Sequence, residues 1–272
     1  MSQPFFEFER PPIVELVLGV QFAPLSRLTS GHLGWFWKHF LDDEWVSASD
    51  AVLLADQFET FEEQGRWRMP SKMQVMFDAK PGPSRLQLEN AAGDRMIQVQ
   101  QSRFHYNWKR RDQSYPSFHG VRTEFDRQFG RFRSFLAASG LGELSPNQWE
   151  LTYVDSIPRG ELWQTVGDWH RVLPGLLAGP PAIDGICAEN ASGEWNFEIT
   201  PRRGRLHVAV RQARITDTDE SVLLVQTTAR GPIGRDGNED LAAGLALGHS
   251  AAVRIFFSIT SAEAQAHWRL KS

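Results

Sequence analysis

The 272-residue chain contains a single cysteine, Cys187. One thiol cannot form an internal disulfide bond, and a chain without disulfide bonds is typical of a reducing compartment. The first residues lack the basic stretch followed by an apolar core that marks a secretory signal. No apolar run reaches the roughly 20 residues needed to cross a bilayer. These absences predict a cytoplasmic protein that does not associate with a membrane.

The sequence also lacks an excess of positive charge. Its formal net charge is −4 and its isoelectric point is about 6.1, whereas a dedicated nucleic-acid-binding protein usually carries a clear basic excess. Hydrophobic residues make up 41% of the chain, with ten tryptophans and eighteen phenylalanines. This composition is typical of a globular protein with a large core, and it leaves room only for local basic patches.

No stretch carries a specific catalytic or cofactor-binding signature. The sequence has no HExxH motif, no Cys/His cluster, no GxxxxGK[ST] loop and no GxSxG elbow. Its eight histidines show no metal-ligand spacing. We therefore predict no metal, no cofactor and no catalytic residues, and an enzyme is the less favoured class.

Hydrophobic periodicity predicts a mixture of strands and helices. An N-cap at Thr29 or Ser30 and a phenylalanine stripe after Pro116 mark the first two helices, and Gly140 is placed to end the second. Residues 43–69 are acidic and show no regular pattern. The predicted strands are 14–22, 73–77, 85–89, a long stretch at 95–109, 148–158, 195–199, 205–215 and 221–229; the predicted helices are 30–41, 117–140, 161–177 (interrupted by Pro174) and 240–259.

The order strand, helix, about three strands, helix occurs twice, in residues 1–147 and 148–272. Internal duplication is the favoured interpretation, and chance recurrence of a common α+β pattern is the alternative. Two such halves predict an α+β fold in which one curved antiparallel sheet carries helices on one face and leaves the other more open. In element order this arrangement resembles the saddle of the TATA-binding-protein fold.

The stretch RMIQVQQSRFHYNWK (95–109) changes its apolar parity midway. The apolar residues of RMIQV and those of FHYNW would fall on opposite faces of one regular strand. A β-bulge near Gln101 and Ser102 would return both sets to one face. The alternative is a long strand that crosses between two cores. Both interpretations place Arg103 and His105 on the polar face.

The polar face of the predicted sheet mixes amides, hydroxyls and charges of both signs. Such a surface suits a protein partner or a second copy of the chain, and a plain solvated face is the alternative. The leading hypothesis is a non-enzymatic binding or adaptor module that uses this open face. The residues predicted to contact the partner are Glu15, Gln98, Gln100, Glu150, Thr152, Glu198, His207 and Arg211.

Two basic segments, 103–111 and 201–211, support a second hypothesis. Aromatic residues among arginines can stack on bases while the cations neutralise phosphates. Solvated strand ends and a charged hairpin turn are the alternatives. The residues predicted to bind nucleic acid are Arg103, Trp108, Lys109, Arg110, Arg111, Arg202 and Arg203.

A third hypothesis places a small-molecule or enzymatic pocket between the sheet and the helices. Its candidate residues are His105, Glu150, His207 and His249. Convergence of these side chains on one apolar pocket would favour it.

Several segments together resemble a sporadically distributed family of uncharacterised prokaryotic proteins of about this length. They are PPIVELVLGVQF at the start, RFHYNW, the Tyr115-Pro116 step before the phenylalanine-rich helix, and GHSAAVRIFFSIT near the end. The resemblance covers most of the chain and implies no catalytic residues. The patchy distribution of the family implies a mobile accessory role, for example in bacterial defence or toxin–antitoxin systems.

Overall fold

The computed structural model describes residues 7–59, 61, 85–111, 114–181, 183–215, 218–234 and 240–271. The strand predicted at 73–77 lies outside these ranges. In chain order, the described elements are β1 (Ile13–Phe22), α1 (Ser30–Phe40), β2 (Trp45–Ala51), β3 (Arg85–Asn90), β4 (Arg95–Gln100), β5 (Arg103–Lys109), α2 (Ser117–Ala138), β6 (Pro146–Pro158), α3 (Trp169–Val172), β7 (Ser192–Ile199), β8 (Gly204–Arg214), β9 (Ser221–Pro232), α4 (Leu241–Ile259) and α5 (Ala262–His267).

These strands form one antiparallel sheet in the order β2-β3-β4-β5-β1-β6-β9-β8-β7. From the centre outwards, the first half reads β1, β5, β4, β3, β2 and the second reads β6, β9, β8, β7. In each half the first strand is central and the last strand lies beside it, so the two halves repeat one arrangement about the β1–β6 pair. The predicted α+β class and the single antiparallel sheet are confirmed. The predicted boundary at 147/148 falls just inside β6.

Helix α2 covers the first half of the sheet through its phenylalanine stripe. Phe125, Phe129 and Phe132 are buried, and all three rings contact Phe104 of β5. The helix ends where Gly140 adopts a φ of +61°, a conformation that glycine reaches without the steric cost of a Cβ atom. The predicted helix and its C-terminal signal are both confirmed.

Helix α4 covers the second half and approaches the sheet through glycines. A Cβ atom at Gly248 would lie 2.7 Å from the Trp149 ring, and one at Gly244 would overlap it. Small residues therefore let the helix close over a fully buried indole. Among the described residues α4 is the one helix long and apolar enough to cross a membrane, and 39% of its apolar window is buried inside the protein.

The stretch 95–109 is a hairpin, so both the bulge and the single long strand were wrong. Gln100 pairs directly with Arg103, and Gln101 and Ser102 form the turn. Residues that face each other across an antiparallel pair point to the same side of the sheet, so the turn itself resets the parity. The predicted positions of Arg103 and His105 on the polar face are confirmed.

The helix predicted at 161–177 is mostly absent. A single 3₁₀ turn at Val166–Asp168 leads into the four-residue α3. The Asp168 carboxylate accepts hydrogen bonds from the backbone N–H groups of Gln164 and Thr165, which starts the turn late. Pro174 then prevents any extension, because its ring and missing N–H group break a helix.

The face opposite the helices is not left open. Residues 52–59 and 61, hereafter the crossing segment, run across it without regular secondary structure. Hydrogen bonds join this segment to Gln21, Gln100, Arg103 and Gln148. The prediction of a solvated front face is therefore wrong at the centre of the sheet, where the polar side chains bind a segment of the same chain.

Candidate functional site

A cavity of about 860 Å³ lies on the helix face of the sheet, between the start of α2 and helix α4. Phe8, Ile13, Phe118 and Phe256 contribute to its apolar walls. Cavities that bind small molecules typically measure roughly 300 to 1,000 Å³. This cavity therefore has the size and the lining of a ligand pocket.

Both chain ends help to form one wall. The Glu9 N–H group donates a hydrogen bond to the carbonyl group of Arg269, which joins the N-terminal segment to the residues after α5. The Phe8 ring then packs edge-on against Phe256 and Trp268, with centroid distances of 6.0 and 5.9 Å. The wall is thus held by backbone hydrogen bonds and aromatic contacts.

A chain of hydrogen-bonding groups lines the cavity beside α4. The Tyr153 hydroxyl group is 2.8 Å from the His249 Nδ1 atom and 3.4 Å from the Tyr115 hydroxyl group. Phe118 stacks on the His249 ring at 4.0 Å between centroids, with 7° between the planes. These contacts fix the orientation of the imidazole at the cavity wall.

Two of the residues that line this cavity each have a buried polar atom without a partner. The Thr227 Oγ1 and Arg110 Nε atoms have no hydrogen-bond partner within the described part of the chain. The Arg110 Nη2 atom donates to the carbonyl group of Pro11 at 2.8 Å, so only part of the guanidinium group is satisfied. A buried polar group without a partner costs roughly 1 to 3 kcal/mol.

The cavity also contains titratable groups with shifted pKa values. Burial raises the pKa of the Asp155 carboxyl group to about 7, with Arg110 acting in the opposite direction. Burial lowers the pKa of the His249 imidazole to about 4, with Glu7 acting in the opposite direction. Near pH 7 the histidine is therefore neutral and the aspartate is close to half protonated.

A second polar cluster lies on the opposite face of the sheet. His105 and Glu150 flank Gly19, which pairs with both residues in the register of β1. Glu150 accepts a hydrogen bond from Arg230 Nε at 2.9 Å and lies 3.7 Å from Arg103 Nη1. Burial alone would raise the pKa of Glu150, but the charges of His105, Arg230 and Arg103 lower it. Burial lowers the pKa of His105 to about 4.

Glu59 of the crossing segment extends this cluster into the second half. Its Oε1 atom is 2.7 Å from His207 Nε2 and 3.8 Å from Arg230 Nη1. Its Oε2 atom accepts a hydrogen bond from Arg205 at 3.1 Å. Arg230 thus contacts both Glu150 and Glu59, and it links the two parts of the cluster.

The residues predicted to contact a partner share this face but differ in accessibility. Gln98, Gln100, Glu150 and Thr152 are buried, Glu15 and His207 are half-buried, and Glu198 and Arg211 are exposed. Gln98 and Glu15 both hydrogen-bond to Asn107, and Thr152 bonds to Thr228. A partner could reach Glu198 and Arg211 directly, whereas the buried residues are engaged within the chain.

The predicted nucleic-acid residues do not form one surface. Trp108 is buried on the helix face with its ring 5.2 Å from Tyr115, so it cannot stack on a base. Arg103 is buried on the other face, and Lys109 pairs with Glu89 at 3.0 Å. The prediction for Trp108 and Arg103 is wrong because both side chains are part of the interior.

The other basic residues lie at opposite ends of the strands. Arg110 and Arg111 follow β5, while Arg202 and Arg203 precede β8 at the far end of the sheet. Arg110 lines the cavity, Arg111 donates to the Gly93 carbonyl group, and Arg202 lies in the β7–β8 turn. The two basic segments therefore do not present one continuous cationic surface.

The four residues predicted to share a pocket are separated by the sheet. His249 lines the cavity on the helix face, whereas His105, Glu150 and His207 lie on the other face. The predicted convergence is therefore wrong, although a pocket between sheet and helices exists around His249. The residues that sequence reasoning missed are Tyr115, Tyr153, Asp155 and Thr227. Asp155 had a detectable signal, because it occupies the apolar parity of β6 between Tyr153 and Ile157.

No family model matches the chain, and no curated protein matches it. The crystal structure of DynU16, a protein in the dynemicin biosynthetic locus, is similar over 95% of this chain and 99% of that chain, with 14% sequence identity and a TM-score of 0.26. A likeness at this level carries no argument about function.

Proposed function

We propose that the protein binds a small, largely apolar molecule in the cavity beside α4. The observation that carries this proposal is a cavity of about 860 Å³ whose aromatic and aliphatic walls include a few polar residues, among them Asp155 and His249. Apolar pockets with a few convergent polar groups are the usual form of a small-molecule site. A hydroxyl or carbonyl group on the ligand would bond to one of these polar residues while its apolar body fills the cavity.

Asp155 adds a condition on the chemistry of the ligand. Its carboxyl group, with a pKa of about 7, can accept or donate a hydrogen bond depending on pH. A neutral ligand that carries a hydroxyl group would be compatible with both forms. We therefore expect the affinity for a neutral amphipathic ligand to be similar below and above pH 7. The affinity for a strongly anionic ligand should fall as the pH rises and Asp155 ionises.

The test compares a variant that fills the cavity with a matched variant on the same helix. Val253→Trp places an indole in the cavity, whereas Ser250→Trp places one on the exposed side of α4. Decanol and an environment-sensitive naphthalene dye serve as probes, with calorimetry and fluorescence as readouts. We expect saturable one-to-one binding to the wild type and to Ser250→Trp, and loss of binding in Val253→Trp. Equal binding by both variants would contradict a site in this cavity.

The partner-binding role of the sheet face and the accessory role in defence systems stay predictions. A partner that left the crossing segment in place would meet the exposed side chains of Glu198 and Arg211. A partner that needed the buried centre of the face would have to displace that segment.

A further inference from the structure

The crossing segment traverses the sheet in a fixed order. Its contacts begin at β4, where Leu54 bonds to Gln100, and continue at β5, where Arg103 Nη2 donates to the carbonyl group of Ala55 at 3.0 Å. They then reach β1, β6, β9 and β8 in turn, through Gln21, Gln148, Arg230 and Arg205. The segment thus runs perpendicular to the strands and contacts six neighbouring strands without skipping one.

The length of the segment agrees with an extended chain. Five steps between neighbouring strands span roughly 24 Å, at about 4.8 Å for each step. The five residue steps from Leu54 to Glu59, which make the first and last of these contacts, span roughly 17 Å when fully extended, and long side chains of the sheet bridge the difference. The segment therefore has to be extended to make all of these contacts.

Side-chain amides of the sheet recognise the backbone of this segment. Gln100 both accepts from the Leu54 N–H group at 3.0 Å and donates to its carbonyl group at 2.8 Å. Gln21 accepts from the Gln57 N–H group at 3.0 Å, and Gln148 donates to the Gln57 carbonyl group at 2.7 Å. These contacts do not depend on the side chains of the segment, so they would serve any extended peptide of compatible shape.

Two acidic side chains of the segment are also bound, and the first is Asp56, which accepts a hydrogen bond from the Ser102 hydroxyl group at 2.6 Å. The Glu59 side chain is only 7% exposed, and its carboxylate is held by Arg205, His207 and Arg230. Arg205 also lies 5.3 Å from the centre of the Phe61 ring. This end of the face is therefore a carboxylate site built from three basic side chains on two strands.

Apolar burial contributes little to the attachment of the segment. The side chains of Val52 and Phe58 are 86% and 61% exposed. Segments with few buried apolar contacts open at low free-energy cost relative to the rest of a protein. The face is thus occupied by a segment that polar contacts hold, and those contacts are ones that a competing peptide can reproduce.

We propose that this face is a binding site for an extended acidic segment of another protein, and that residues 54–59 and 61 occupy it as an internal competitor. Gln21, Gln100 and Gln148 would bind the backbone of the partner. Arg205, His207 and Arg230 would bind a carboxylate at the position of Glu59. The positive charge at one end of the face selects acidic peptides over neutral or basic ones. This role is independent of ligand binding in the cavity on the opposite side of the sheet.

The test frees the face and supplies the segment in trans. Glu59→Lys places a cation against the basic site and should displace the internal segment, whereas Glu143→Lys makes the same charge change on an exposed loop. The probe is a fluorescent peptide with the sequence AVLLADQFETF, followed by fluorescence anisotropy. We expect the Glu59→Lys protein to bind this peptide at least tenfold more tightly than either the wild type or the Glu143→Lys protein. A peptide with lysine in place of its glutamate should bind to none of them.

Several outcomes would overturn the proposal. They are equal binding by the three proteins, no binding by any of them, and binding that ignores the charge of the peptide. Dimerisation of Glu59→Lys in light scattering would identify a second copy as the occupant and would overturn the assignment to another protein. If Glu59→Lys does not fold, Glu59→Gln should still increase hydrogen exchange at the Leu54 and Gln57 amides, and unchanged exchange would refute the internal-competitor role.

Discussion

The His105 Nε2 atom lies 3.7 Å from the Glu150 Oε1 atom, although the two residues belong to strands that are not neighbours. The strand between them contributes Gly19 at this level, and a Cβ atom there would overlap the His105 ring. A missing side chain therefore allows two halves of the protein to share one buried polar cluster. This glycine is needed for space, since its backbone does not adopt a positive φ.

Gly19→Ala should destabilise the protein. The added methyl group must push the His105 ring out of a buried site, and such overpacking typically costs about 1 to 3 kcal/mol. Urea unfolding followed by tryptophan fluorescence measures the change. Gly34→Ala is the control, because no atom lies within 4 Å of a Cβ at Gly34 in helix α1. It should be neutral or stabilising, and a Gly19→Ala protein of unchanged stability would show that the ring can move freely.

Glu150→Gln should destabilise the protein more strongly. The change leaves the guanidinium groups of Arg103 and Arg230 without the buried carboxylate that they contact. Removing one partner of a buried ion pair typically costs about 3 to 5 kcal/mol. Glu143→Gln on the surface should change the free energy of unfolding by less than about 0.5 kcal/mol. Similar effects from both substitutions would mean that the cluster is solvated.

The stability difference between wild type and Glu150→Gln should depend on pH. Because the neighbouring charges lower the pKa of Glu150 in the folded state, its ionised form stabilises the fold above the ordinary glutamate pKa. That contribution is lost as the pH falls through the lowered value. We expect the full difference at pH 7 and a smaller one in acid, measured by urea unfolding at each pH. A constant difference would contradict the role of charge.

Gly248→Ala should destabilise the packing of α4 on the sheet. A methyl group there would lie 2.7 Å from the Trp149 ring and 3.2 Å from the Ala229 Cβ atom, both of which are buried. We expect a loss of about 1 to 3 kcal/mol in urea unfolding, despite the better helix propensity of alanine. Gly130→Ala in α2 has open space around it and should be neutral or stabilising. Equal changes in the free energy of unfolding for Gly248→Ala and Gly130→Ala would show that α4 is not tightly packed.

The sequence predicts the sheet class and the long helices because their signals are local. The phenylalanine stripe of α2 repeats over 22 residues. Apolar residues alternate along β1 and β6, and the apolar side of each strand is the one that is buried against the helices. Periodicity over such lengths depends on one buried face and is not sensitive to distant contacts. The repeated element order then limits the possible topologies, which is why a single antiparallel sheet could be inferred.

The turn between β4 and β5 could not be predicted in this way. Gln101 and Ser102 lack the glycine or asparagine that usually marks a two-residue hairpin turn. The turn is held from outside, because Leu25 donates its N–H group to the Gln101 carbonyl group and Phe22 donates to that of Ser102. Contacts with a distant segment replace the local signal, so a single sequence shows only an unexplained change of parity.

The crossing segment left no sequence signal for a related reason. Its backbone groups bond to side chains on the sheet and not to a neighbouring strand, so its residues show no alternation. Asp155 differs, because its position on the apolar parity of β6 was visible in the sequence. Its place in a cavity could not be predicted, because residues near both ends of the chain help to form that cavity.

Asp155→Asn should remove a pH dependence of stability near neutrality. The pKa of Asp155 is about 7 in the folded protein, above the value of about 3.9 for an unfolded chain, so the folded state holds the proton more tightly. Wild-type stability should therefore be greatest below pH 4 with respect to this group. It should fall by up to ~1.4 kcal/mol per pH unit as the pH rises towards 7. Urea unfolding at pH 5 and pH 8 measures the difference.

The free energy of unfolding of the Asp155→Asn variant should be closer to that of the wild type at pH 5 than at pH 8. At pH 8 the variant should be the more stable protein. His249 titrates in the opposite sense, because its pKa of about 4 lies below that of an unfolded histidine and its contribution is lost in acid. His249 is present in both proteins, so its effect cancels in the comparison. A difference that grows towards acid would mean that Asp155 is ionised in the folded state, and that Arg110 outweighs the cost of burying its charge.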